Sequence, residues 1–318
     1  MTDLEVRILN AIRRRIVKTE ALVPPAITLA GQSASNAIRS LIEGEAPAMV
    51  SRFGSTELGA LIRYDVRSKH GKEGVLQRIK YIFGRIDRFY YDTSQRQAME
   101  NMSGFFPTDD DALDRFGARV LNDAREVNIL GSWLADESRL SYLFPKAEVC
   151  TLAELEPYFH GSPWTVALEG RRVLVIHPFA KTIESQYRDR QGIWAGRDVL
   201  PAFDLVTLKT AMTIAGQRNG YASWFDALEE MESKVSATNF DVALIGAGAY
   251  GFPLAAHVKR LGRKAIHLGG ALQILFGIRG ARWDSRPDFQ RFFNEHWVRP
   301  PPEERPLNAE IVEGACYW

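Results

Sequence analysis

Seven short apolar runs, separated by stretches long enough to hold helices, constrain this 318-residue chain more than any other feature. They cover residues 48–53, 127–130, 147–151, 172–176, 205–208, 242–245 and 264–268. Runs such as Val173-Leu174-Val175-Ile176 lack polar alternation, which implies burial on both faces of a sheet. Helical patterns between them, such as Trp224 to Val235, supply the crossovers that parallel strands require. The pattern therefore predicts an α/β fold: a mainly parallel, Rossmann-like sheet with helices on both faces.

Three parts are expected along the chain. Residues 1–45 form a helical N-terminal extension, 46–299 the α/β body, and 300–318 an extended tail opened by Pro300-Pro301-Pro302. The extension reads as two helices broken at Val23-Pro24-Pro25. The first sets Leu4, Ile8, Ile12 and Ile16 on one face, with Arg13, Arg14, Arg15 and Lys18 largely elsewhere. Such a helix packs on its own body, pairs with a second subunit in a homodimer, or makes peripheral contact with an anionic membrane. Aromatic residues between Tyr64 and Phe106 are expected to cover a cleft, and Asp109-Asp110-Asp111 to open a helix.

Charge narrows the partners. Forty basic and thirty-nine acidic residues leave a net charge of +1, against broad nucleic-acid binding, which needs a basic field. Cys150 and Cys316 have no metal-type spacing and read as free thiols of a reducing, cytoplasmic compartment. No signal-peptide core is recognisable, and no apolar run approaches the ~20 residues that cross a bilayer.

In open α/β sheets, ligands bind beyond the carboxyl ends of the strands. Several polar or glycine-rich groups fall there: Arg52 and Glu57, Ser132 and Trp133, His177 and Lys181, Gly246 to Gly251, and Gly269-Gly270. The turn Gly246-Ala247-Gly248-Ala249-Tyr250-Gly251 has the G-x-G-x-x-G spacing between a strand and a helix, where backbone amides approach a phosphate. It lies late in the chain, and the next strand ends at His267-Leu268-Gly269-Gly270 without an acid for a ribose. A phosphate or nucleotide contact, a purely structural turn and a dinucleotide site all stay open. His177 reads as a phosphate ligand, a general base or a structural histidine. Arg188, Arg190 and Arg197 around Trp194 form either an anion clamp or a solvated loop.

The stretch Ser51-Arg52-Phe53-Gly54-Ser55-Thr56-Glu57 resembles the opening motif of bacterial glycosyltransferases with the GT-D fold, Arg-aromatic-Gly-Asp-Gly-Glu. Val173 to Phe179, and Leu244 through Gly251 on to Gly269, fit the same pattern. The resemblance spans about Ala48 to Ile278 and implies a GT-D-like fold. It also implies a nucleotide-sugar donor, a saccharide or lipid-linked acceptor in polysaccharide assembly, and Mn²⁺ or Mg²⁺ held at the Asp-x-Glu. Ser55 stands in the place of that Asp, and a hydroxyl is a poor substitute for a carboxylate on a hard cation. Glu57 would then hold the metal alone or with a recruited carboxylate such as Asp65. Otherwise Arg52, Lys181 and a helix N-terminus would neutralise the diphosphate.

The expectation is a glycosyltransferase. Glu57 and His177 would carry the chemistry, and Arg52, Ser55, Ser132, Lys181, Gly246, Gly248, Tyr250, Gly251 and Gly269 would line the donor site. Its rivals are an oxidoreductase or methyltransferase using the glycine turn, and a protein that binds a nucleotide sugar without turnover.

Overall fold

The computed structural model describes residues 1–18 and 21–318. The seven apolar runs become seven strands: β1 Ala48–Ser51, β2 Ile129–Ser132, β3 Glu148–Thr151, β4 Arg172–His177, β5 Asp204–Lys209, β6 Val242–Ile245 and β7 Lys264–His267. They form one all-parallel sheet in the order β3-β2-β1-β7-β6-β4-β5. Register is set by pairs such as Val50 with Ile266 and His177 with Lys209.

Alternate residues of each strand enter opposite cores. On β4, Val173 and Val175 join one buried cluster, and Leu174 and Ile176 the other. On β6, Val242 and Leu244 separate from Ala243 and Ile245 in the same way. This is the two-residue period of a strand covered on both faces.

The α-helices as far as Arg260 are α1 Asp3–Ile16, α2 Gln32–Glu43, α3 Ser55–His70, α4 Val75–Ile82, α5 Thr93–Asn101, α6 Asp110–Asp123, α7 Ala180–Arg188, α8 Arg190–Ile193, α9 Trp224–Ala237 and α10 Gly251–Arg260. Helices α3, α6, α9 and α10 cover one face, and α2 and α7 contribute to the other. Asp109 caps α6 by accepting from Ala112 N at 2.9 Å. Ser223 and Asp226 form a reciprocal capping box at the start of α9. Cys150 and Cys316 are buried free thiols. No described helix is long and apolar enough to cross a membrane.

Two local expectations are corrected, and the reading of α1 is narrowed. Helix α1 buries Val6 and Leu9, whereas Leu4, Ile8, Ile12 and Ile16 face outward. The helix is turned this way by Arg13, which donates to the carbonyls of Tyr81 and of Ile86, and by Asn10, which accepts from Tyr90 Oη at 2.8 Å. Tyr81, Phe89 and Tyr90 pack beneath α1 in a small separate core and do not cover the cleft. Residues 300–318 are not an extended tail. They turn back in two short helical turns, with Glu304 and Trp318 buried.

Candidate functional site

One cleft opens where β1, β7, β6 and β4 end, and most of the strand-end candidates meet there. It is lined by Arg52, Ser55, Glu57, Trp133, His177, Gly246, Gly248, Tyr250 and Gly269. Ser132, Lys181 and Gly251 are absent from its lining. This is the place that the open-sheet rule anticipates.

Arg52 follows β1 directly, and its guanidinium lies 5.1 Å from the centre of the Trp133 ring. Trp133 is itself anchored by its indole N–H, which donates to the Phe53 carbonyl at 2.9 Å. Burial pulls the Arg52 pKa down, and the nearby Glu57 charge works in the opposite direction. Arg52 Nε is buried without a hydrogen-bond partner. Ser103 Oγ and Gln273 Oε1 are likewise orphaned, and both line the same cleft. Among the described residues, only four buried side-chain polar atoms lack partners, and three of them are here. Each orphan costs stability in the free protein, so their concentration marks a place built for a polar ligand.

Helix α3 starts at the cleft wall. Gly54 caps it without any side-chain hydrogen bond, so the amides of Ser55, Thr56 and Glu57 keep their donors for the cleft. The Glu57 carboxylate folds back over Gly54, where a Cβ would collide with Oε2. A residue other than glycine at 54 would displace it.

Two buried histidines form the floor. His177 accepts from Phe179 N at 3.0 Å through Nδ1, which fixes the proton on Nε2. His267 Nδ1 bonds Ser51 Oγ at 2.9 Å. Burial pushes His177 down to about 3, and burial with the Arg52 charge does the same for His267. Both are neutral at pH 7, and with its Nδ1 lone pair taken by Phe179 N, His177 has only an Nε2–H to offer the cleft.

The glycine turn serves these rings more than it serves a phosphate. A Cβ on Gly246 would stand 2.6 Å from His177 Cδ2, and one on Gly251 would strike His267 Nε2. Only Gly248, at φ +54° with open space around it, has the character of a ligand-facing glycine. Tyr250 stacks on Trp224 with ring centres 5.0 Å apart and shares a 2.7 Å hydrogen bond with Thr213 Oγ1.

Two candidates are spent elsewhere. Ser132 donates to the buried Glu137 carboxylate, whose pKa burial raises. Lys181 is exposed, and the α7 amides of Lys181 and Thr182 donate to Glu304 at 3.1 and 3.5 Å. That helix N-terminus is capped by the protein's own carboxylate and is closed to a diphosphate. Arg197 pairs with the Tyr158 carbonyl at 2.6 Å, and Arg188, Arg190 and Arg197 all lie outside the cleft.

The helical turn Ala281–Asp284 and the returning C-terminal segment supply what the sequence did not suggest. Arg282 enters the cleft, donating to Tyr317 Oη at 3.1 Å and pairing with Glu313. Tyr317 packs against Gly270, where a Cβ would overlap its ring.

A divalent cation does not fit the donors present. Among the described residues, Glu57 and Glu313 are the only carboxylates lining the cleft, and Glu313 is paired with Arg282. Asp65 pairs with Lys69 at 2.7 Å, accepts from Tyr142, and takes no part in the lining. Among the described residues, no three His, Cys, Asp or Glu side chains cluster as a metal site. Mn²⁺ and Mg²⁺ want several oxygen ligands, and a lone carboxylate beside two guanidinium groups opposes them. The polar groups present are instead two arginines, the uncapped start of α3 and one carboxylate, Glu57, without an arginine salt-bridge partner. The chain matches no protein-family model, no curated protein and no solved structure.

Proposed function

We propose that the protein is a glycosyltransferase that takes a sugar from a nucleotide-sugar donor and passes it to a saccharide or lipid-linked acceptor. The observation that carries this reading is the buried, unpartnered Arg52 Nε beside the uncapped N-terminus of α3. Together they offer a cation and oriented amide donors to a diphosphate, with Arg282 across the cleft. The motif Arg52-Phe53-Gly54-Ser55-Thr56-Glu57, which resembles the GT-D opening motif, lends the sugar-transfer chemistry.

In the reaction, the acceptor hydroxyl oxygen bonds to the sugar's anomeric carbon as the bond from that carbon to the phosphate oxygen breaks. The acceptor's proton passes to Glu57, the lining carboxylate that has no arginine salt-bridge partner. The departing nucleoside diphosphate carries the electron pair, and its growing charge is met by Arg52 and the α3 amides. Gln273 Oε1 accepts from a donor group on the ligand, and Ser103 supplies a hydroxyl. His177 and His267 stay neutral and hold the floor.

A thermal-shift panel tests the reading. UDP-, GDP- and CMP-sugars, NAD(P) and S-adenosylmethionine are each added to the full chain, and nucleotide release is followed for whichever stabilises it. Stabilisation by one sugar nucleotide, with release lost in Glu57→Gln, supports transfer. Stabilisation by NAD(P) or S-adenosylmethionine alone would replace the reading with redox or methyl-transfer chemistry.

A further inference from the structure

The outward face of α1 has no cover, and its neighbour α4 has the same character. Leu4, Ile8, Ile12 and Ile16 on α1 are 38–68% exposed, and Val75, Leu76, Ile79 and Phe83 on and just after α4 are 47–75% exposed. Eight of the seventeen large apolar side chains exposed among the described residues therefore sit on two adjacent helices. Single exposed apolar residues are ordinary, but a patch of this kind marks an interaction surface.

The two helices are held side by side. Glu5 of α1 pairs with Arg78 of α4 at 3.1 Å, and the Met1 ammonium pairs with Glu73 at 3.0 Å. At 100° per residue, Glu5 lies on the same side of α1 as Ile12 and Ile16. Arg78 likewise flanks Val75 and Ile79 on α4. The pair thus brings the two apolar stripes into one ridge, with Tyr81 pointing away from it into the small core.

The charge around the ridge is one-sided. Residues 1–18 and 72–88 hold ten Lys and Arg against four Asp and Glu. The rest of the chain holds thirty against thirty-five, so this small region reverses the sign of the remainder. Arg7, Arg14, Lys80 and Arg85 make no ion pair among the described residues. On the other flank of α1, a groove is lined, among the described residues, by Arg7, Arg13, Arg14, Arg63, Arg88 and Arg139 against Asp87 and Asp136.

We infer that α1 and α4 form a docking surface for an anionic lipid bilayer, with the apolar ridge entering the acyl boundary and the arginines meeting the headgroups. An apolar face edged by basic side chains is the composition of a helix that lies in the membrane interface. A second copy of the chain is the poorer occupant. A two-fold contact through this surface would set the same cationic patch against itself. The inference is independent of the cleft's ligand, because none of the ridge residues line the cleft.

The test is co-sedimentation of the full chain with vesicles of phosphatidylglycerol and phosphatidylcholine, compared with phosphatidylcholine alone. The chain pellets with the anionic vesicles, and raising the salt releases it. Each arginine removed in Arg7→Gln and Arg14→Gln lowers partitioning about fivefold, the value for one basic residue near an anionic surface. Leu4→Ser with Ile8→Ser abolishes pelleting while the melting temperature is kept, since both side chains are exposed. Three results would overturn the inference: equal binding to neutral vesicles, binding to neither, or a dimer in sedimentation velocity that Leu4→Ser with Ile8→Ser dissociates. Stabilisation by a sugar nucleotide is read separately and is the same in these variants.

Discussion

His177 and His267 set a stability that falls on mild acidification. Both are buried and neutral, at about 3, while an unfolded histidine titrates near 6.5. Below pH 6.5 the unfolded chain binds two protons that the native protein refuses, so unfolding becomes favoured as pH falls towards 3. The linkage relation gives about 2 kcal/mol lost per histidine between pH 7 and pH 5, and about 4 kcal/mol for the pair if they titrate independently. Glu156 acts with the opposite sign. Burial raises it to about 7, so the native state gains a proton over the same interval and is stabilised. The comparison must therefore be made between variants, where Glu156 cancels. Urea unfolding at pH 7 and pH 5 is measured for the wild type and for His177→Asn with His267→Asn, since Asn keeps an acceptor near the Nδ1 position. The double variant should be less stable at pH 7 but lose about 4 kcal/mol less on going to pH 5. An identical loss in both proteins would show that the rings do not stay neutral in the fold.

Three further outcomes follow from the same geometry. Ser103→Ala removes an orphaned hydroxyl, so the free protein should gain up to about 1 kcal/mol in chemical denaturation while the stabilisation conferred by the cleft's ligand shrinks. Gly251→Ala drives a methyl into the His267 ring and should cost about 1–3 kcal/mol, read as a lower urea midpoint with no change in slope. Lys181→Ala should leave ligand affinity unchanged by calorimetry, because its side chain is exposed and the α7 amides are held by Glu304.

The sheet was legible because each strand is a short run of Val, Ile, Leu or Ala bounded by polar or glycine-rich turns. Every strand lies within two residues of its expected bounds at each end. Arg52, Ser55 and Glu57 were legible for the same reason, since the end of β1 fixes where they emerge. Other features depend on contacts far apart in sequence. Glu304 caps α7 from 123 residues away, which no local pattern around Lys181 reveals. Tyr317 reaches the cleft, where it accepts from Arg282, only because the C-terminal segment folds back, and Pro300-Pro301-Pro302 gave the opposite impression. The α1 stripe was visible as a periodicity, but periodicity cannot say which face Asn10 and Arg13 will pull inward. The glycine spacing was visible too. What it accommodates, two imidazole rings, became apparent only when β4 and β7 were placed beside β6.

In the proposed reaction Arg52 and the α3 amides, without a divalent cation, meet the charge of a diphosphate. Calorimetric titration of UDP and GDP into the full chain in the presence of a chelator tests it most directly. One nucleotide should bind under chelation. Arg52→Gln should weaken that binding by about 2 kcal/mol, some thirtyfold, as for a charge-assisted hydrogen bond. Binding that appears only with Mn²⁺ or Mg²⁺, and that Arg52→Gln leaves intact, would contradict it.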